Sequence, residues 1–149
     1  MPTPPEAFVT RRAVPADLGT VIGLLRSANL PTSGVAEHFT SFIVAESAGR
    51  IIGTIGLELY GSTALLRSAV VEEGSHGSGV GSLMFDRILD LARNEGVGRL
   101  ILLTDTAEQY FRRKNFRTVE RSSITGPVTQ SVEFREACPS SAICMELTL

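Results

Sequence analysis

A mixed α/β fold on a largely antiparallel sheet is what this sequence predicts. Three observations carry the prediction. Apolar runs at 42–46, 51–60 and 64–71 are joined by connections too short for anything but hairpins. A glycine-dense stretch at 74–81 feeds a long segment with apolar residues at helical spacing. The Leu-Ile-Leu-Leu run inside 99–104 reads as a buried strand. A strand–loop–helix–strand order makes the flanking strands parallel neighbours. The reading gives six to seven strands flanked by about four helices.

In chain order, residues 1–7 are Pro-rich and expected to fray, and 8–14 read as a strand. Pro15 and Asp17 mark a helix start, since proline fits the first turn and an acid suits the N-terminal dipole. Leu18, Val21, Ile22, Leu25 and Ala28 then recur at helical spacing, and Pro31 ends the helix. A short second helix covers 33–39. Turns at 47–50 and at Gly61-Ser62 separate the three meander strands. Val80, Leu83, Met84, Ile88, Leu91 and Ala92 form one helix face, closed by Gly96. A helix at 107–114, a strand at 116–121, an irregular stretch at 122–141 and a strand at 143–149 complete the chain. With no repeat, low-complexity tract or linker, one domain over 1–149 is expected.

Composition narrows the function classes. The 149 residues are 43% hydrophobic and 20% charged, which argues against disorder. Fourteen basic and sixteen acidic residues give a net charge of −2, so no electrostatic footprint for nucleic acid or an anionic membrane is visible. No apolar run approaches the ~18 residues of a membrane helix. The opening Met-Pro-Thr-Pro-Pro-Glu has no basic region and no apolar core, so a cytoplasmic location is the expectation. Two cysteines, Cys138 and Cys144, make no disulfide framework. His38 and His76 stand alone without ligand spacing, so no metal site is expected.

The informative feature is His76-Gly77-Ser78-Gly79-Val80-Gly81-Ser82, between a strand and a helix. Glycines permit positive φ and close backbone approach, and a helix start presents unpaired N–H groups. Together they suit a phosphate or pyrophosphate. A P-loop would need Gly-Lys-Ser/Thr, and a dinucleotide fingerprint needs G-x-G-x-x-G; neither is present.

The loop resembles the signature of the GCN5-related N-acetyltransferase (GNAT) superfamily, Arg/Gln-x-x-Gly-x-Gly/Ala, with His76 in the first position. Ala69-Val70-Val71 resembles that family's strand end. Ala107-Glu108-Gln109-Tyr110-Phe111 through Asn115-Phe116 resembles its second signature in spacing. The resemblance spans residues 8–149 and implies a fold binding acetyl-CoA in a gap between two splayed central strands. It implies that amides of Ala69 and Val71, with Val70 between them, hold the acetyl and pantetheine groups. It implies that residues 77–82 cradle the pyrophosphate beside His76, with Thr104 and Phe111 near the arm. A looser resemblance, to the branch found in arsenic-resistance gene clusters, rests on Leu65-Leu66-Arg67-Ser68, on 102–108 and on Glu133-Phe134 with Cys138. The partner implied is a small-molecule amine, with a homodimer left open.

Acetyl transfer needs a neutral amine, a stabilised oxyanion and a departing thiolate. Neutralising a lysine-like amine at pH 7 costs ~4–5 kcal/mol, against ~1 for an α-amine. Glu58, Glu72 and Glu73 are the candidate bases. If Gly61-Ser62 is a two-residue turn, Tyr60 pairs with Thr63 and Glu58 with Leu65. Glu58 and Arg67 then become diagonal neighbours, either as base and carboxylate anchor or as a structural ion pair. Arg112 and Arg113 fit a solvated helix face better than an anchor. Phe111 stands where the family places a tyrosine acid. Tyr110 is the remaining candidate, although helix neighbours point ~100° apart. A coenzyme-A-binding module without transfer activity is the alternative function.

Overall fold

The computed structural model describes residues 7–137 and 142–149. Seven strands form one sheet: β1 (Phe8–Arg12), β2 (Phe42–Ser47), β3 (Arg50–Tyr60), β4 (Thr63–Val71), β5 (Arg99–Thr104), β6 (Arg117–Val119) and β7 (Ile143–Thr148). Their order is β1-β2-β3-β4-β5-β7-β6, and every pairing is antiparallel except β4 with β5. Four helices join them: α1 (Leu18–Ser27), α2 (Val35–His38), α3 (Val80–Asn94) and α4 (Glu108–Arg113).

Strand alternation sorts the core onto the two sheet faces. Ile43, Leu57, Leu66, Leu100, Leu102 and Met145 turn to the face covered by α3, against Met84, Phe85 and Ile88. On the other face, Phe42 and Val44 pack with Val21, Leu25 and Val35 of α1 and α2. Leu65, Ile101, Leu103 and Cys144 pack there with Ile124, Val128 and Phe134 of the segment before β7. Two lobes therefore share this second face, and polar residues of β3 and β4 lie where they meet. No helix is long and apolar enough to cross a membrane among the described residues.

The hairpin register is the one the turn argument requires. Tyr60 pairs with Thr63, Glu58 with Leu65 and Gly56 with Arg67. Further along, Thr54 pairs with Val70, so Ile55 alone faces Ser68 and Ala69. This bulge holds Ser68 at φ 60, a left-handed conformation costly for a non-glycine residue. Parallel pairing of β4 with β5 is confined to Thr63↔Arg99, Ala64↔Leu100 and Leu65↔Ile101. Beyond Leu65 the two strands part, as the resemblance implies.

Several boundaries differ from the sequence reading. Pro31 does not end the first helix; Asn29 does, at φ 57, with Leu30 N–H bonded to Leu25 O. α3 and α4 stop in the same way, at Gly96 (φ 80) and Asn115 (φ 73), with Val97 N–H on Ala92 O and Phe116 N–H on Phe111 O. This six-to-one closure needs a left-handed residue, which glycine or asparagine supplies. Phe116 is spent on that closure, so β6 keeps only Arg117–Val119. β1 ends at Arg12, and the region 33–39 forms α2 and a 3-10 turn, Phe39–Ser41. The stretch 122–141 is not wholly irregular; it holds a 3-10 turn, Pro127–Gln130, and a π-turn, Glu133–Ala137. Cys138 lies outside the described residues.

Gly56 marks a close approach. A Cβ there would stand 2.3 Å from Cε1 of Phe42, whose side chain is fully buried and cannot yield. Gly56→Ala is expected to destabilise the protein by about 1–3 kcal/mol, as overpacking does. Urea unfolding of the two proteins measures it, and an unchanged midpoint would contradict the packing.

Candidate active site

Where β4 and β5 part, a cleft of about 1290 Å³ opens through the sheet. Ser68, Ala69, Val70 and Val71 line one wall, and Leu102, Leu103 and Thr104 the other. Successive N–H groups of a strand point to opposite edges. Glu72 N–H bonds Ile52 O on β3, so the N–H of Val71 faces the cleft, and the bulge carries Ala69 into the same wall.

The glycine loop closes one end. Gly77 and Gly79 take φ 81 and 87, and Gly79 is the residue capping α3 without a side chain. The first intrahelical bond runs from Leu83 N–H to Gly79 O. The amides of Val80, Gly81 and Ser82 therefore have no helical acceptor and face the loop mouth, a ready anion cradle. The loop's own side chains are turned inward. The His76 ring meets Val71 O at 2.8 Å through Nε2, and Ser78 Oγ donates to Ser75 O at 2.6 Å. Thr104 Oγ1 accepts from Ala107 N–H at 3.0 Å, so it caps the approach to α4 while lining the cleft.

Phe111 is buried, packed edge-on against Tyr110 at 5.1 Å and against Phe116 at 5.5 Å. It lines the cleft with a ring that has no proton to give. Tyr110 points to the glycine loop. Its hydroxyl lies 3.7 Å from where a Cβ of Gly81 would stand and beside Ser82, and burial raises its pKa.

At the other end, on the face shared by the two lobes, Arg67 has a fully buried side chain between two carboxylates. Nη1 donates to Glu58 Oε2 at 2.6 Å and to Ser33 O at 2.7 Å. Nη2 donates to Pro31 O at 3.2 Å. Nε lies 3.1 Å from Glu133 Oε2 and 3.0 Å from Ser68 Oγ. One guanidinium thus ties the 31–34 loop, β3 and the 131–134 segment together. Gly34 stays open for it: a Cβ there would stand 3.1 Å from Nη1.

Glu58 is 1% exposed. Burial pushes its carboxyl up, but hydrogen bonds from Tyr60, Arg67 and Ser131 outweigh that and hold it below the ordinary range. Tyr60 Oη donates to Glu58 Oε1 at 2.5 Å, and burial with this bond raises Tyr60 to about 12. His38 Nε2 stands 3.6 Å from the same oxygen. A carboxylate so well satisfied has little tendency to take a proton, which favours the ion-pair side of the Glu58–Arg67 alternative.

The structure brings Glu58 and Arg67 together, and gathers residues 69–71, 76–82, Thr104, Tyr110 and Phe111 along the cleft and its loop. Tyr110 is not part of the Glu58 cluster. Glu72 pairs with Arg50 on the surface, and Arg112 with Glu108 at 3.1 Å. Sequence reasoning missed Tyr60, Glu133, Ser131 and His38. Tyr60 carried a usable signal, lying two residues from Glu58 and so on the same strand face. Glu133 figures only in the looser resemblance, without a role, and Ser131 and His38 come from other segments and had no such signal.

Comparison with known proteins agrees with this geometry. The acetyltransferase (GNAT) family model matches residues 11–118. An amino-acid acetyltransferase of Mycobacterium tuberculosis is 30% identical, over 89% of this chain and 78% of its own length. An uncharacterized N-acetyltransferase of Chlorobaculum tepidum is 25% identical, over 97% of this chain and 88% of its own. A Mycobacterium tuberculosis protein solved in complex with CoA and NLQ has the same fold, with a TM-score of 0.80 at 24% identity over 95% of this chain and 99% of its own. A family match over most of the chain, on a sheet that opens beside a glycine-capped helix, means that this chain belongs to the acetyltransferase (GNAT) family and is an acyltransferase.

Proposed function

We propose that this protein transfers an acetyl group from acetyl-CoA to the primary amine of a small molecule, with amino acids and their arsenic- or phosphorus-containing analogues as the acceptor class. The observation that carries the reading is the parting of β4 and β5 beyond Leu65 and Ile101, which opens a cleft running from the α3 amides to Arg67. The residues fit the donor. Unpaired amides at Val80, Gly81 and Ser82 suit its diphosphate, and the Val71 N–H suits an amide or carbonyl of the arm. Acetyl-CoA, when bound, supplies an activated thioester.

This chain's residues then position and polarise. In our reading the Ala69–Val71 edge holds the donor arm and the acetyl carbonyl. Arg67, fixed by Glu58 and Glu133, sets the shape of the acceptor end. Glu58 serves as a positioning residue, since its carboxyl is held low. The lack of a strong base there suits an α-amine, whose neutral form costs only ~1 kcal/mol at pH 7. The amino-acid acetyltransferase relative supports the same acceptor class. A cytoplasmic site of action goes with it.

Thiol release from acetyl-CoA against an amine panel tests the reading. The panel runs from α-amino acids through their arsenic and phosphorus analogues to lysine-side-chain amines. We expect release with α-amino compounds and much less with amines of pKa ~10. Coenzyme A binding with no thiol release for any amine would favour the binding module instead.

A further inference from the structure

We propose that Lys114, at the C-terminal end of α4, is the cation that holds the diphosphate of the donor; the inference rests on acetyl-CoA being that donor. The glycine loop offers amides but no fixed positive charge. Residues 72–82 contain no lysine or arginine, and they open with Glu72 and Glu73. The His76 ring is held on Val71 O. Any fixed positive charge beside a diphosphate at the amides of Val80, Gly81 and Ser82 therefore comes from outside the loop, where it would add a charge-assisted contact to the cradle.

Lys114 is built to be that cation. Its Nζ donates to Ser82 Oγ at 3.0 Å, in the first turn of α3. The ammonium lies 5.4 Å from the Phe85 ring centre and 5.7 Å from that of Tyr110, so two aromatic faces fix it. None of these three partners is a carboxylate; Asp86 lines the same small hollow, but among the described residues it forms no ion pair with Lys114, so the ammonium is open to a ligand anion. Its backbone is fixed by the helix closure at Asn115. Arg113, one residue earlier, lines the cleft itself, whereas Lys114 sits in the neighbouring hollow and reaches the cleft's rim through Ser82. Arg112 instead turns to Glu108 and Thr118. The outcome is a helix-end cradle whose positive charge arrives from a second helix.

The experiment is calorimetric titration of the wild type, Lys114→Met and Arg112→Met with CoA and with dephospho-CoA, at low and high salt. Methionine keeps the apolar stem over Phe85. We expect Lys114→Met to raise Kd about tenfold for both ligands and to reduce the salt dependence, in line with losing one charge-assisted contact. Arg112→Met removes the same formal charge nearby and should change Kd less than twofold. Thermal melts of all three proteins establish that each is folded. An unchanged Kd for Lys114→Met overturns the proposal, and so does a loss seen with CoA but not with dephospho-CoA, which would assign the lysine to the 3′-phosphate. A wild type that binds neither ligand would instead overturn the donor assignment.

Discussion

Arg67→Ala is expected to lower the unfolding free energy by about 3–5 kcal/mol, the usual cost of removing one partner from a buried ion pair. Glu58 is 1% exposed and Glu133 4%, and both face the guanidinium. Without it, at least one carboxylate must stay charged in a dry setting or take a proton. The carbonyls of Pro31 and Ser33 lose their donors as well. Urea unfolding at pH 7 gives the number. The double variant Arg67→Ala with Glu58→Gln should be less unstable than the sum of its singles, because the second change removes a charge that the first strands. A loss below about 1 kcal/mol for Arg67→Ala would refute the hub, since that is the worth of an exposed pair. If the proposed acceptor end lies here, transfer activity should also be lost in variant protein that is still folded, because this side chain holds both the 31–34 loop and the 131–134 segment.

The second large effect is on donor binding. Gly79→Val should weaken acetyl-CoA binding by more than tenfold while the protein stays folded. Gly79 holds φ 87 at the residue before α3, a conformation that a β-branched residue avoids. A Cβ there meets nothing within 4 Å, so the penalty is conformational rather than steric. The loop relieves it by moving, which turns the amides of Val80, Gly81 and Ser82 away from a common point. Strain of ~1–3 kcal/mol is enough to account for such a loss. Gly74→Ala is the control: it has no positive φ and no neighbour within 4 Å, so binding should be unchanged. Equal affinities for wild type and Gly79→Val, measured calorimetrically, would remove the loop from the donor site.

Much of this protein was determined by local sequence. Alternation in β3 and β4 with a two-residue turn sets the Tyr60↔Thr63 register, because a slip of one residue would send Leu57 and Leu66 to the wrong face. That register alone made Glu58 and Arg67 neighbours. The glycine spacing at Gly77 and Gly79 announced a left-handed loop before a helix, since only the backbone is involved. Asn115 could stand at a helix end for the same local reason.

Tertiary structure decided the rest. Whether Arg67 anchors a substrate or braces the fold depends on Glu133, Pro31 and Ser33, which reach it from two separate lobes. No spacing in the chain encodes that meeting. The bulge at Ser68 and the end of pairing at Leu65 are likewise products of sheet packing, and they create the cleft. Lys114 reads as a surface charge until α4 packs beside α3 and sets it on Ser82, 32 residues away in sequence. Contacts between distant segments are decided by how apolar faces bury together, and a linear pattern records the faces but not their partners.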